Sequence, residues 1–468
     1  MNRQLQQDLL EQERILESVL EDAKQHLQGV EERFVAPKHK ACGNRSLPKS
    51  GLGAWETREL FNREYRDSLL ATTGPRYFGF VIGGTTPAAL AGDWLTSLYD
   101  QNAFGFPENA DRHIEDEAVG FLRELVGLDE TFFGSLCSGA TMANFVGLAT
   151  ARQWYGQQKG VNVAEEGCTA LGQMNIASGC AHASTYKTLS MLGLGRRALT
   201  KIPCLPGREA VDIHELEAYL KTKKGEPVVV IANLGTANSG DCDDLGALCE
   251  LKRRYGFYLH ADAAIIGIAA GSARYKEQFA DLSQCDSITI DAHKWLNTPY
   301  DGAVQLTKHK DLQYQVFAQA AQALPAMPQG SPLFNMTPEG SRRLRALTLW
   351  FSMMAYGKDG YEDIVERNCS LTQLMEKHLD GEGCFKKLND VRFNILCYTL
   401  NTPKLSGALV ERYTALLREK GITYSNTTDY FGTPAIRVCV SNWRTTPEDV
   451  EKAFASMKEC AQEVLGNL

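Results

Sequence analysis

Residues 287–296, SITIDAHKWL, set Lys294 just beyond an apolar, β-branched run. Thirty-two residues upstream, YLHADAAIIG sets Asp262 at the close of a second such run. Short runs of this kind, bounded by turn residues, read as buried strands. A charge carried to the end of a buried strand is costly unless it is paired or put to use. The two runs belong to a series. From about 86 to 310, helical patterns alternate with VVVIANL at 228–234, FYLHADAA at 257–264, SITI at 287–290 and AVQL at 303–306. Strands separated by helices predict an α/β fold with a mainly parallel central sheet. Ligands of such sheets sit beyond the carboxyl ends of the strands. Asp262 and Lys294 both fall there.

The flanks complete the outline. Residues 1–30 predict one amphipathic helix, with Leu5, Leu9, Leu16, Val19, Leu20, Ala23 and Leu27 at three- and four-residue steps. It either packs on its own subunit or is exchanged with a partner. Residues 36–53 read as a connector, and 341–380 as helical. Strand patterns at 392–400 and 435–442, then a final helix from Pro447, predict a small α/β C-terminal domain. The expected division is an N-terminal helical segment over 1–85 at a dimer interface, a large domain over 86–365 and a small domain over 366–468. A length of 468 residues allows two or three domains. The net charge of −8 argues against a nucleic-acid binder. Thirteen cysteines without a CxxC pair predict reduced thiols and a cytoplasmic protein. The N-terminus is too polar for a secretory signal. No apolar run is long enough to span a membrane, so no membrane association is expected. No metal site is expected either.

A lysine and an aspartate at neighbouring strand ends suit one cofactor chemistry. The lysine amine forms a Schiff base with pyridoxal 5'-phosphate, and the carboxylate keeps the pyridine nitrogen protonated so the ring accepts electrons. A phosphate needs donors, and SLCSGATMANFVGLATAR from 135 offers them. Ser138, Gly139 and Ala140 are small, and Thr141 adds a hydroxyl at the start of a helix running to Arg152. Helix N-termini favour anions, although such a run is elsewhere only a cap. His293 adds a donor to the same phosphate. His182, in SGCAHASTYK, is either a satisfied structural histidine or an aromatic cover for the cofactor ring. Thr236, in NLGTANSGDCDDL, belongs to an ordinary glycine-rich turn or contacts the cofactor. Arg437 is flanked by Ile436 and Val438 in a strand, so it points opposite to them. It is a surface charge or a clamp for a substrate carboxylate.

Together these residues resemble the group II pyridoxal-phosphate-dependent amino-acid decarboxylases, of the aspartate-aminotransferase-like fold (fold type I), from about Arg76 to Trp443. PRYFGF and PAALAGDWL look like the family's substrate-pocket segment and CSGATMAN like its phosphate motif. HADAA and DAHKW are similar to its ring-nitrogen and Schiff-base motifs, and RRLRALTLWFSMMAYG to its large-domain helix. The resemblance implies a homodimer that decarboxylates an L-amino acid to amine and carbon dioxide. Lys294 would carry the cofactor, Asp262 pair with the pyridine nitrogen, Ala264 pack under the ring and His182 stack above it. Arg437 would face the substrate carboxylate, with Phe80 beside it. Three departures stand out. The family's Asn-Pro-His-Lys is Asp-Ala-His-Lys here, which puts Asp291 where an amide is usual. The loop tyrosine that protonates the substrate carbanion is missing from 316–340, where Phe317, Gln322, Ser331 and Phe334 stand instead, and Tyr314, just before that segment, reads as the end of the preceding strand region. Gly79, Gly83, Gly84 and the QNA run at 101–103 replace pocket aromatics by smaller or more polar residues, leaving Phe78 and Phe80. An aldehyde synthase or an aminotransferase on the same cofactor is the alternative. A cofactor-binding protein without catalysis is a further one.

Overall fold

The computed structural model describes residues 1–37, 43–106, 108–319 and 330–466. Seven strands form the central sheet: β1 (Phe133–Cys137), β2 (Ile176–Ser178), β3 (Leu199–Lys201), β4 (Val229–Asn233), β5 (Tyr258–Asp262), β6 (Ser287–Asp291) and β7 (Ala303–Thr307). Their order is β1-β7-β6-β5-β4-β2-β3. The pairings from β6 through β5, β4 and β2 to β3 are parallel. β7 is antiparallel to both β6 and β1, so two reversals return β1 to the common direction. Six strands therefore end at one edge. β4, β5 and β6 are buried along their whole length, as sheets covered on both faces require.

Local signals set the crossover helices. Asp212 caps Ile213–Thr222 by accepting the His214 N–H at 2.9 Å. Asp244 caps Leu245–Tyr255 by accepting the Ala247 N–H at 3.0 Å. That second helix stops at Gly256, whose φ of 67° suits glycine. A second, antiparallel sheet orders as β10-β11-β9-β8, with β8 (Phe385–Lys387), β9 (Ile395–Leu400), β10 (Asn426–Tyr430) and β11 (Thr433–Cys439). It packs against helices Gly407–Lys420 and Pro447–Gly466 in its own core. The α/β architecture with a small C-terminal sheet follows the sequence expectation. The pattern did not reveal β1, β2, β3, β8 or β10, most of them short.

Three expectations change. The N-terminal helix is two, Arg3–Leu10 and Gln12–Gln28, because Glu11 leaves helical geometry at φ −107° and ψ 12°. Glu11 instead accepts the Trp55 indole N–H at 2.6 Å. Asp8 accepts the Ala54 N–H, and Asp22 receives the Arg58 guanidinium at 2.6 and 2.7 Å. The polar side of the pair is thus spent on helix Gly53–Glu64, while Leu5, Leu9, Leu16, Val19, Leu20 and Leu27 stay exposed. Tyr314, expected to close a strand, is buried inside helix Lys310–Phe317. The helix expected over 341–380 begins at Arg345 and is interrupted at Gly357 (φ 56°, ψ −165°), a conformation open to glycine alone. Beyond that break, Ile364, Val365 and Cys369 belong to the large core, and Leu371, Met375 and Leu379 to the small one.

Candidate active site

The common edge of the sheet carries a cavity of about 480 Å³. It gathers the 138–141 run with His182, Asp262, Ala264, His293 and Lys294. The topology explains this convergence. β1 delivers Ser138, β2 leads into His182, β5 ends on Asp262, and β6 ends on Asp291, three residues before Lys294.

At one end, helix Ala140–Gln158 points its first turn into the cavity. The Met142 and Ala143 N–H groups donate to the Gly139 carbonyl, each at 2.9 Å, whereas those of Ala140 and Thr141, at the very start of the helix, have no carbonyl one turn before them to bond. Gly139 lets His293 approach, since a Cβ would stand 3.1 Å from His293 Cε1. His293 Nδ1 accepts the Gly302 N–H at 3.2 Å, so a neutral ring carries its proton on Nε2. Across the cavity, Asp262 is nearly buried and accepts from Asn144 Nδ2 at 2.9 Å and from the Ala264 N–H at 3.3 Å.

Lys294 Nζ lies 3.2 Å from Asp291 Oδ2, and His293 Nε2 lies 3.2 Å from Asp291 Oδ1. Burial works to raise the Asp291 pKa, but the Lys294 charge and His293 outweigh it and hold the carboxyl below its usual range. Tyr300 stacks on His293 with ring centroids 4.1 Å apart. Burial, then the Asp291 charge, pushes its phenol up to about 12.

His182 caps helix Ala183–Met191, taking the Ser184 N–H on Nδ1 at 3.2 Å. Desolvation lowers its pKa against the opposing pull of Asp262, so at neutral pH the ring is uncharged with its proton on Nε2. Ser184 and Lys187 of the same helix also line the cavity. Sequence reading missed both, although their spacing of three puts them on one helix face.

Three candidates stand outside the cavity wall. Thr236 Oγ1 bonds Ser239 Oγ and the Asp241 N–H, each at 3.0 Å, so its hydroxyl closes its own turn; Gly235 lines the cavity instead. Phe80 is 55% exposed in the single chain. Arg437 is near enough for its charge to act on His182. Its Nη1 donates to the Ala237 carbonyl at 2.7 Å, while its buried Nε has no partner. Desolvation lowers its pKa.

Gly79 and Gly83, read from sequence as small replacements for pocket aromatics, are packed against neighbouring groups. A Cβ on Gly83 would stand 1.9 Å from the Lys294 carbonyl oxygen, and one on Gly79 2.4 Å from Tyr424. These glycines mark tight packing. Phe78 belongs to the small-sheet core. In the QNA run, Asn102 Oδ1 and the Ala103 carbonyl hold Arg342, whose guanidinium pairs with buried Glu115 at 2.7 Å. Gln322 lies outside the described residues.

A lysine amine, a carboxylate and a helix N-terminus around one cavity fit a compact ligand with a phosphate at one end and a protonated ring nitrogen at the other. That defines a pyridoxal-phosphate enzyme of α/β fold. The pyridoxal-dependent decarboxylase conserved domain matches residues 67–401, and the chain belongs to that family. Pyridoxal phosphate is its cofactor, and its reaction is decarboxylation of an amino acid. It is 25% identical over 432 residues to an aromatic-L-amino-acid decarboxylase of Bacillus atrophaeus, covering 90% of this chain and 88% of that protein. It is 26% identical over 362 residues to an L-2,4-diaminobutyrate decarboxylase of Acinetobacter baumannii, covering 74% and 71%. Among solved structures, Oryza sativa TDC with PLP and tryptamine superposes with a TM-score of 0.87 at 20% identity, covering 97% of this chain and 98% of that one. Mouse CSAD does so at 0.84 and 20%, covering 96% and 99%. These two likenesses concern the fold.

Proposed function

We propose that this enzyme converts an L-amino acid to the amine and carbon dioxide, with Lys294, Asp262 and His182 as its catalytic residues. The observation that carries the assignment of roles is the convergence of these three side chains with the 138–141 helix N-terminus on one cavity. Bound there, pyridoxal phosphate supplies an electron sink for the bond broken at the substrate's Cα. Ser138, Gly139, Ala140, Thr141 and His293 bind its phosphate with N–H and hydroxyl donors. Lys294 Nζ would hold it covalently through its amine. Asp262 keeps a proton on the ring nitrogen. Ala264 and His182, both lining the cavity, would flank the ring, and Thr236 steadies the neighbouring turn.

Arg437 receives the substrate carboxylate, supported by its buried, unpartnered Nε. Phe80 flanks the entrance. Together they would orient the substrate's Cα–carboxylate bond, and orientation selects which bond breaks. The neutral His182 ring then offers the proton on Nε2 to Cα.

The exposed apolar side of residues 1–30 supports a homodimer in which a second copy covers it. The division at 1–85, 86–365 and 366–468 is kept, supported by the handover of the long helix from the large core to the small one between Cys369 and Leu371. No helix among the described residues is long and apolar enough to cross a membrane. Every described cysteine is a free thiol, which supports a cytoplasmic setting.

The absence of tyrosine from 316–340 favours one second reading, in which an unprotonated carbanion meets oxygen and yields aldehyde, ammonia and peroxide. Turnover of the common L-amino acids with and without oxygen separates the two. Amine and carbon dioxide in both atmospheres are expected. Aldehyde with stoichiometric peroxide, formed only in air, overturns the amine route. In that event Gln322→Tyr restores amine, and its failure to do so would place the tyrosine's function elsewhere in the chain.

A further inference from the structure

Behind Asp262 runs a buried chain of polar side chains that touches no solvent. Asn144 Nδ2 donates to Asp262 Oδ2 at 2.9 Å. Asn144 Oδ1 lies 2.9 Å from His260 Nε2, and His260 Nδ1 lies 2.7 Å from Ser287 Oγ. Asn144, His260 and Ser287 are each at most 1% exposed.

Only one arrangement of protons satisfies this chain. The amide must turn its NH₂ to the carboxylate, since the opposite orientation sets oxygen against oxygen. Its carbonyl then accepts, so His260 carries a proton on Nε2. Nδ1 is left to accept from the Ser287 hydroxyl. Desolvation pulls the His260 pKa down to about 4, against the weaker opposite pull of Asp262. The ring is therefore neutral at ordinary pH.

Strand geometry builds the chain. His260 and Asp262 are two apart on β5, so they face the same side of the sheet. Ser287 is the register partner of His260 on β6. Helix Ala140–Gln158 crosses that side and presents Asn144, with Gly147 one turn on. A Cβ on Gly147 would stand 2.7 Å from His260 Cε1, 3.0 Å from Nδ1 and 3.5 Å from Ser287 Oγ. Glycine is a poor helix former next to alanine, and here it makes room for the imidazole.

We propose that Ser287, His260 and Asn144 form a positioning relay that aims the Asp262 carboxylate at the cofactor's ring nitrogen. It rests on the role given to Asp262 above. One Asp262 oxygen is held by the amide and the other by the Ala264 N–H, so the carboxylate plane is set and a free lone pair faces the cavity. The relay ends in a neutral donor, and a ring that is uncharged at ordinary pH has no spare proton to pass to the carboxylate.

The test uses holoenzyme reconstituted with cofactor labelled with nitrogen-15 at the ring. The ring-nitrogen resonance and the cofactor Kd are read for the unmodified enzyme, Asp262→Asn, Asn144→Leu, His260→Leu, His260→Gln and Ser287→Ala. Asn144→Leu and His260→Leu are expected to move the resonance toward unprotonated pyridine and to weaken cofactor binding about tenfold. Their kcat falls at least tenfold while substrate KM changes little. His260→Gln sets an amide N–H near the place of Nε2 and returns all three readings toward the unmodified enzyme. If Asp262→Asn shifts the resonance and Asn144→Leu leaves it in place, the relay is overturned and the Asp262 role stands. If Asp262→Asn itself leaves it in place, the Asp262 role falls. Should the leucine variants not fold, Ser287→Ala decides: a partial shift supports the relay, and an unchanged resonance and Kd overturn it.

Discussion

At the scale of single residues, the site depends on pairs that only work together. Among the described residues, Lys294 is the one lysine that lines the cavity beside a buried carboxylate, Asp291. Borohydride reduction of the holoenzyme followed by peptide mapping is therefore expected to leave a phosphopyridoxyl mass on the peptide holding Lys294. A label on Lys187, which also lines the cavity, would displace the assignment. His260 makes a second prediction. Its folded pKa of about 4 lies below the ordinary 6.5, so the unfolded chain binds a proton more readily. This group's contribution is whole above about pH 6.5 and is lost as pH falls toward 4, amounting to roughly 3 kcal/mol. Denaturant midpoints across pH 4 to 7 should show that loss, and His260→Asn should flatten it. Equal slopes in both proteins would remove His260 as the source.

At the scale of elements, the stretch 75–86 acts as a strap holding the turn that follows β6. The Thr86 N–H donates to the Asn297 carbonyl at 3.0 Å, and Gly83 lies directly against the Lys294 carbonyl. Arg76 anchors the strap through a buried pair with Asp449 at 2.8 Å. Gly83→Ala therefore cannot be absorbed by a side-chain shift, because the clash is with backbone. It is expected to destabilise by about 3 kcal/mol and to weaken cofactor retention. Thermal melting with and without added pyridoxal phosphate checks both, and a variant that melts with the parent and keeps its cofactor would show that the strap yields. The phenylalanines and glycines of this strap were read from sequence as pocket walls, because a glycine at a close contact and a glycine beside empty space look alike in one dimension.

At the scale of the whole molecule, the N-terminal pair of helices leaves seven large apolar side chains in solvent, Leu10 among them. A second copy covering that face predicts a dimer by light scattering at micromolar concentration. Replacing Leu9, Leu16 and Leu20 by lysine should release monomer and lower activity with it. A fully active monomer of the unmodified protein would refute the arrangement. The core of the seven-stranded sheet and that of the small sheet are joined by the helix that begins at Arg345, which contributes side chains to both.

What the chain determined by itself is what short-range physics writes into it. Runs such as VVVIANL and SITI, with capped helices between them, already specify buried parallel strands, and parallel strands place Asp262 and Lys294 at a common edge. The CSGAT run likewise declares a helix N-terminus suited to an anion. Only tertiary structure decided which neighbours complete the site. The return of β1 to the common direction depends on antiparallel β7, and no local pattern encodes that order. The His260 ring could be placed on Asp262's side of β5 by alternation alone. Its partners Asn144 and Ser287, 116 residues before it and 27 after it, meet it only because a helix and a neighbouring strand pack there, and packing is set by the whole core rather than by any segment of it.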